Sequence, residues 1–289
     1  MVRCILSAFI FAASTALAQY GGAAPTTGPA PKAGEPRITF SSVNTDGPYI
    51  ALTFDDGPGA ATTPRLLDML AKRNIKVTFF VLGECVQANP AILKREVAEG
   101  HEIGNHSWSH PDLSKMSEEG VRGQLQRTQD AVSQAGGVTP KVMRPPYGAL
   151  HEKQRKWVHD QLGLKVILWE VDPNDWRRPG PSVIARRILE GTRNGSIILA
   201  HDIHAQTIDA MPQVLDGLLA KGFKFVTVSE LLAMDRPKAK PTAKPTAKPS
   251  ASAAISAAPS ASATATAVPS ATTSPAVPTK KADALPDSL

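Results

Sequence analysis

The sequence predicts an α/β fold of the barrel type, related to the eightfold TIM barrel but one unit short. Three observations lead there. Short β-branched apolar runs alternate with longer stretches of helical period between about residues 47 and 235. Seven such strand–helix units follow one another. Several of the runs, such as VTFFVL and VILWEV, are apolar at consecutive positions, as in a strand covered on both faces in a parallel sheet. Successive βα units close into a barrel or open into a doubly wound sheet, and the residues alone allow both.

The units read in order as follows. A strand at 49–54 leads to a helix at 63–73, and a strand at 76–82 to a helix at 90–99. A short strand at 102–105 precedes the longest helix, 117–134, whose start carries Ser117 ahead of Glu119 and Gly120. The strand at 142–144 feeds a helix at 152–162 that stops at Gly163. The strand at 165–171 feeds 182–193, and the strand at 196–200 feeds 209–220, followed by Gly222. A last strand at 224–228 runs into a short helix at 229–234. About 190 residues of this kind suit one domain with a sizeable core.

The flanks read differently. Residues 1–18 have Arg3, an apolar run from Cys4 to about Ala13, and the closing Ala16-Leu17-Ala18, which is the anatomy of a secretory signal peptide. The run is short for a bilayer core, which needs about 20 apolar residues. Residues 19–46, rich in Ala, Gly, Pro and Thr, are expected to form a flexible lead. From 236 to 289 the chain is Lys, Pro, Ala, Ser and Thr, with KPTAKPTAKPS repeating every fourth residue. So few large apolar side chains cannot offset the entropy of ordering, so this tail is expected to be disordered.

The tail also accounts for the basic pI of 9.3. Seven Lys or Arg against two Asp give it +5 of the chain's net +6, leaving +1 for everything before it. Basicity is therefore no sign of a nucleic-acid-binding domain. A basic tail on an exported protein suits anionic wall polymers or a membrane surface, or serves as a solvated spacer. Cys4 leaves with the signal segment and Cys85 remains alone, so no disulfide framework is expected and Cys85 takes no role.

In a parallel barrel, functional side chains gather at the C-terminal ends of strands and in the loops that follow. The chemically capable residues fall there. Asp55-Asp56-Gly57-Pro58 follows the first strand and His106-Ser107-Trp108-Ser109-His110 the third. Arg144-Pro145-Pro146-Tyr147-Gly148 ends the fourth, Asp172-Pro173-Asn174-Asp175-Trp176 follows the fifth, and His201-Asp202-Ile203-His204 the sixth. In one helical turn, His106 and His110 would share a face and chelate a cation. A carboxylate from Asp55 or Asp56 would complete a facial set for Zn²⁺ or a similar ion. In extended chain the two carboxylates point apart, one to the ion and one to the water beside it. His201 suits a general acid, and Arg144 a carboxylate clamp. Asp202 and His204 are read as shaping the loop.

These five groups, in this order and each at a strand end, resemble the polysaccharide deacetylase family, carbohydrate esterase family 4, over roughly residues 49–232. The resemblance implies a distorted (β/α)7 barrel and assigns roles. Asp55 would be the catalytic base, with Asp56, His106 and His110 holding one divalent metal ion, Zn²⁺ first, with Co²⁺ or another as alternatives. His201 would be the acid, Asp175 would tune it, and Arg144 would orient Asp55. Trp176 and Leu199 would wall the acetyl pocket, and the Tyr147 backbone N–H would hold the oxyanion. The implied activity is removal of N-acetyl groups from polysaccharide; the export signal and the basic, Pro-rich tail favour peptidoglycan over chitin oligomers, and a monomer is expected. An acetylxylan esterase and a non-catalytic glycan-binding wall protein are the alternatives.

Overall fold

In the computed structural model, residues 36–236 are described. The apolar N-terminal run and the Lys/Pro-rich tail from 237 onward lie outside them. Eight strands carry the sheet: β1 (Thr39–Phe40), β2 (Tyr49–Asp55), β3 (Thr78–Val81), β4 (Glu102–Asn105), β5 (Val142–Met143), β6 (Lys165–Ile167), β7 (Ile197–His201) and β8 (Lys224–Phe225). Between and after them run α1 (Thr63–Ala71), α2 (Gly83–Ala88), α3 (Pro90–Ala98), α4 (Glu118–Gly136), α5 (Glu152–Leu162), α6 (Pro181–Gly191), α7 (Ala205–Ala220) and α8 (Val228–Ala233). All seven anticipated strands and seven anticipated helices are present.

The strand order is β1-β6-β5-β4-β3-β2-β7, with β8 on β2, and all these pairings are parallel. A doubly wound sheet would reverse direction at a switch point. Here the order from β6 to β2 runs without reversal, and the ring then closes. Val171 bridges Ile198 of β7, and the Leu199 N–H donates to the Val171 carbonyl at 2.9 Å. The architecture is a distorted (β/α)7 barrel.

The distortion corrects two expectations. The fifth anticipated strand, 165–171, is β6, and it ends at Ile167. Beyond it the chain leaves β5 and crosses to β7, where the Glu170 N–H donates to the Ile197 carbonyl at 3.0 Å. The second correction concerns the lead, since residues 36–46 are not loose. Phe40 pairs with Ile167, Ser42 bridges Ser196, and Phe40 and Val43 are buried. Arg37 pairs with Asp235 at 2.9 Å. Two paired residues between Ile38 and Ser41 carry too short an alternation to read as a strand, but they fill the gap where β6 and β7 part.

The core follows from the pattern of consecutive apolar positions. Ile50, Leu52 and Phe54 of β2, Phe79 of β3 and Ile198 of β7 are buried beneath Leu66, Leu67 and Leu70 of α1 and Met211, Val214 and Leu218 of α7. Residues three and four apart on these helices share the buried face. Helix ends are secured locally. The Ser117 side chain accepts from the Gly120 N–H at 3.2 Å at the start of α4, and α5 ends in Gly163 at φ 66°. α7 starts four residues earlier than its pattern suggested, because His204 takes the N-cap place without a side-chain cap. α2, only six residues long, has too little periodicity to read. Cys85 lies half-buried in it. Among the described residues no helix is long and apolar enough to cross a membrane.

Candidate active site

The parallel register sets the site. Asp55, the last residue of β2, lies directly opposite His201, the last of β7. β4 delivers the His106 loop, and β5 delivers Arg144, whose N–H donates to the Asn105 carbonyl at 3.0 Å. Four strand ends thus converge on one face, as barrel geometry requires.

Arg144 is fully buried and holds the first carboxylate. Its Nη1 donates to Asp55 Oδ1 and to Thr53 Oγ1, each at 2.7 Å. Its Nη2 donates to the Leu168 carbonyl at 3.2 Å, and the guanidinium lies 4.3 Å from the centre of the Phe80 ring. Every face of this buried charge is therefore met by an anion, a carbonyl or a π-cloud. Burial pulls its pKa down, against the Asp55 charge that raises it.

Asp56 turns away from Asp55. Its φ of 74° places it in the left-handed region, so the two carboxylates diverge by a turn in the backbone rather than by the extended alternation anticipated. Asp56 Oδ1 is buried with no hydrogen-bond partner, yet it lies 3.4 Å from His106 Nε2 and 3.5 Å from His110 Nε2. The three ligand atoms lie within 4.8 Å of one another. The histidines do not sit on a helical turn. Ser107 and His110 have φ of 75° and 61°, and the loop coils back to bring both rings to Asp56. Asn105 braces that coil, its Oδ1 accepting from the Ser107 N–H at 2.9 Å and its amide donating to the Leu125 carbonyl at 2.9 Å.

The tautomer follows from the partners. His106 Nδ1 is 2.7 Å from the Arg144 carbonyl, which can only accept, so Nδ1 carries the hydrogen and Nε2 presents a lone pair. A lone pair aimed at a carboxylate oxygen with no proton between them is repulsive unless a cation intervenes. Zn²⁺ bonds of about 2.0–2.1 Å at tetrahedral angles would set ligand atoms about 3.3 Å apart, close to both distances seen. The donor set therefore fits a divalent metal ion. Burial works to raise the Asp56 pKa, but the neighbouring His106, with His201 and His110, holds it far below the usual carboxylate range.

His201 is built around Asp175, which is fully buried and accepts four hydrogen bonds. They come from the His201 ring at 2.8 Å, the His201 N–H at 2.8 Å, the Thr207 hydroxyl at 2.7 Å and the Trp176 N–H at 3.0 Å. Burial alone would discharge the imidazolium. The charge and hydrogen bond of Asp175, aided by Asp56 and Asp55, outweigh it and push the His201 pKa up to about 10. With Nδ1–H committed to Asp175, Nε2 is left for the reacting centre.

The remaining anticipated residues flank this centre. Tyr147 stands at φ 60°, its ring 4.6 Å from that of His110 and largely exposed. Trp176 is 46% exposed under the Arg177 guanidinium. Leu199 is buried with Leu168 and Trp169. Of seven non-glycine residues at positive φ among the described residues, six lie in these loops: Asp56, Ser107, His110, Tyr147, Asn174 and Arg178. Such backbone costs about 1–3 kcal/mol per residue and clusters where side chains must be aimed.

Some contributors carry no chemical signature in the sequence. Thr53 and Thr207 are ordinary hydroxyls until the fold places them on Arg144 and Asp175. Trp169 lies 5.7 Å from Arg144 with its buried indole N–H unpartnered. Asp202 is fully buried, bonded by Thr63 and packed where a Cβ on Gly57 would collide with it.

A family model described as polysaccharide deacetylase matches residues 42–167. The peptidoglycan-N-acetylglucosamine deacetylase PgdA of Listeria monocytogenes is 46% identical over 182 residues, covering 63% of this chain and 38% of that protein. The chain thus spans well under half the length of that relative. The solved Bc1960 peptidoglycan N-acetylglucosamine deacetylase superposes with a TM-score of 0.66 at 36% identity, covering 69% of this chain and 96% of that one. A CE4 family pseudoenzyme from Bacillus anthracis matches with the same TM-score at 30% identity, covering 70% and 72%. Enzymes and a pseudoenzyme share the barrel, so activity has to be argued from the site. By sequence match, by fold and by near-complete coverage of a solved relative, the chain belongs to the polysaccharide deacetylase family.

Proposed function

We propose that this protein is a metal-dependent N-deacetylase of N-acetylated glycan, with peptidoglycan as its substrate class. The observation that carries the reading is the trio of Asp56 Oδ1 with two imidazole Nε2 atoms at 3.4 and 3.5 Å, between an Arg-held carboxylate and an Asp-held imidazole. Asp56, His106 and His110 hold the ion. When bound, it supplies Lewis acidity, polarising the acetamide carbonyl and acidifying a water.

The chain's own groups carry the protons. Asp55, fixed by Arg144, accepts a proton from the attacking water as its oxygen bonds to the acetamide carbon. The Tyr147 N–H donates to the developing oxyanion, a contact of a kind worth about 2.7–4 kcal/mol in the transition state. Collapse breaks the C–N bond, and His201 gives its Nε2 proton to the departing sugar nitrogen. Acetate and a free amine result. Trp176 and Leu199 border the acetyl group. A substrate in the wall places the enzyme outside the membrane, which agrees with an export signal at residues 1–18.

Acetate release from peptidoglycan, chitooligosaccharide and acetylxylan, each with and without chelator, tests the reading. Chelator-sensitive release, highest on peptidoglycan, is expected. Release only from acetylxylan would make the protein an ester hydrolase, and none from any substrate would leave a glycan-binding barrel. Asp55→Asn should keep the metal and lose turnover, whereas His106→Ala should lose the metal by elemental analysis.

A further inference from the structure

We propose that Arg178 and His204, beside the acid His201, form an anion subsite for a carboxylate carried by the glycan next to the reacting acetamide. The proposal rests on the deacetylase reading and narrows its substrate.

The two residues come from different loops held together by backbone contacts. The Arg178 N–H donates to the carbonyl of Asp175, the residue that grips His201, at 2.8 Å. The Gly180 N–H donates to Gln206 Oε1 at 2.9 Å, joining the same loop to the first turn of α7. His204 stands at the N-cap of that helix, but its side chain does not cap it. Its ring centre lies 5.8 Å from that of His201, and the ring is half-exposed.

Arg178 is exposed and held at φ 54°. Among the described residues neither its guanidinium nor the His204 ring makes a hydrogen bond or ion pair. Four other surface arginines are neutralised, Arg65 by Asp209, Arg73 by Asp216, Arg186 by Glu190 and Arg193 by Glu170, while Arg122 and Arg127 lie over the Trp157 and Trp108 rings. An unpaired guanidinium on a left-handed residue, beside a free imidazole at the rim of the site, suits a carboxylate ligand.

The chemistry of the glycan selects the source. His201 faces the nitrogen on C2 of the reacting sugar. In peptidoglycan the muramic ring carries a lactyl ether on O3, adjacent to C2 on the same ring or one glycosidic bond away on the next. Chitin and acetylxylan backbones present no carboxylate there. Trp176, 46% exposed two residues before Arg178, adds apolar surface for a sugar ring.

The test uses the full chain and two variants, Arg178→Asn, which tolerates positive φ, and Arg178→Lys, which keeps the charge. The substrates are peptide-stripped glycan strands with free lactyl carboxylates, peptide-bearing strands and chitooligosaccharide. Loss of one charge-assisted contact should lower kcat/KM on the stripped strands relative to chitooligosaccharide by about tenfold or more, with partial recovery in the lysine variant. The same loss confined to peptide-bearing strands would assign the carboxylate to the peptide. An unchanged ratio would overturn the subsite. Calorimetry of stripped strands before and after methyl esterification provides a readout independent of turnover. Binding that weakens with Arg178→Asn only for the free carboxylate supports the subsite, and equal binding by both proteins overturns it. A wild type without turnover would refute the deacetylase reading but leave the calorimetric result standing.

Discussion

Replacing Asp175 by Asn isolates the charge that prepares the acid. The amide keeps the shape of the carboxylate, and its one oxygen can still accept from His201 Nδ1 and the Trp176 N–H, but the NH2 that replaces Oδ2 can no longer accept from Thr207 or the His201 N–H, and the neutral group no longer stabilises an imidazolium. The His201 pKa of about 10 lies about 3.5 units above the free value of 6.5, which corresponds to about 5 kcal/mol of preference for the charged ring. That figure is an upper bound for the working enzyme, because a divalent ion at Asp56 would repel the imidazolium. Without Asp175, burial and the nearby ion both act to discharge the ring, so its pKa should fall to 6.5 or below. At pH 8 the protonated fraction then drops from about 99% to about 3%, a loss of about thirtyfold from protonation alone. Acetate release between pH 5 and 10 provides the assay, since the descending limb of kcat/KM reports the essential acid in the free enzyme. That limb should move down by at least two units in Asp175→Asn, with a circular-dichroism melt confirming the fold. A folded variant whose limb stays at the wild-type pH would remove His201 from the acid role.

Two further predictions concern stability. Burial, opposed by the Thr63 hydrogen bond and joined by the Asp56 charge, pushes the Asp202 pKa up to about 7 from 3.8. The folded state therefore binds a proton that the unfolded chain has released, and this contribution is complete below about pH 4 and lost as pH rises through about 7. Asp202→Asn should accordingly gain stability over wild type by up to about 4 kcal/mol between pH 4 and pH 8. Urea unfolding at the two pH values measures it, and a pH-independent difference would contradict the buried, protonated carboxyl. Truncation before residue 47 removes buried Phe40 and Val43 and the Arg37–Asp235 pair. At about 1.5–3 kcal/mol per buried apolar side chain, the loss should be about 3–6 kcal/mol. Truncation before residue 36 serves as the control, and equal melting temperatures for the two would return residues 36–46 to the status of a loose lead.

The sequence by itself determined the alternation of seven strands and helices, and hence that the strand ends would share one face. Because the side chains with chemistry fall immediately after apolar runs, their clustering could be read without coordinates. Four matters belonged to tertiary structure alone. Barrel closure depends on where the chain after Ile167 crosses to β7, a choice between strand partners that local propensity does not encode. The strand at Thr39–Phe40 exists only because that crossing opens a gap for it to fill. The two histidines meet Asp56 through a coil of left-handed residues rather than a helical turn, since Asn105 and the Arg144 carbonyl brace a loop whose spacing mimics a helix. Thr53 and Thr207 matter only because register brings them to buried charges. Pattern along the chain reports how each segment meets water, whereas the distances that make acid, base and ligands act together arise from contacts between segments far apart in sequence.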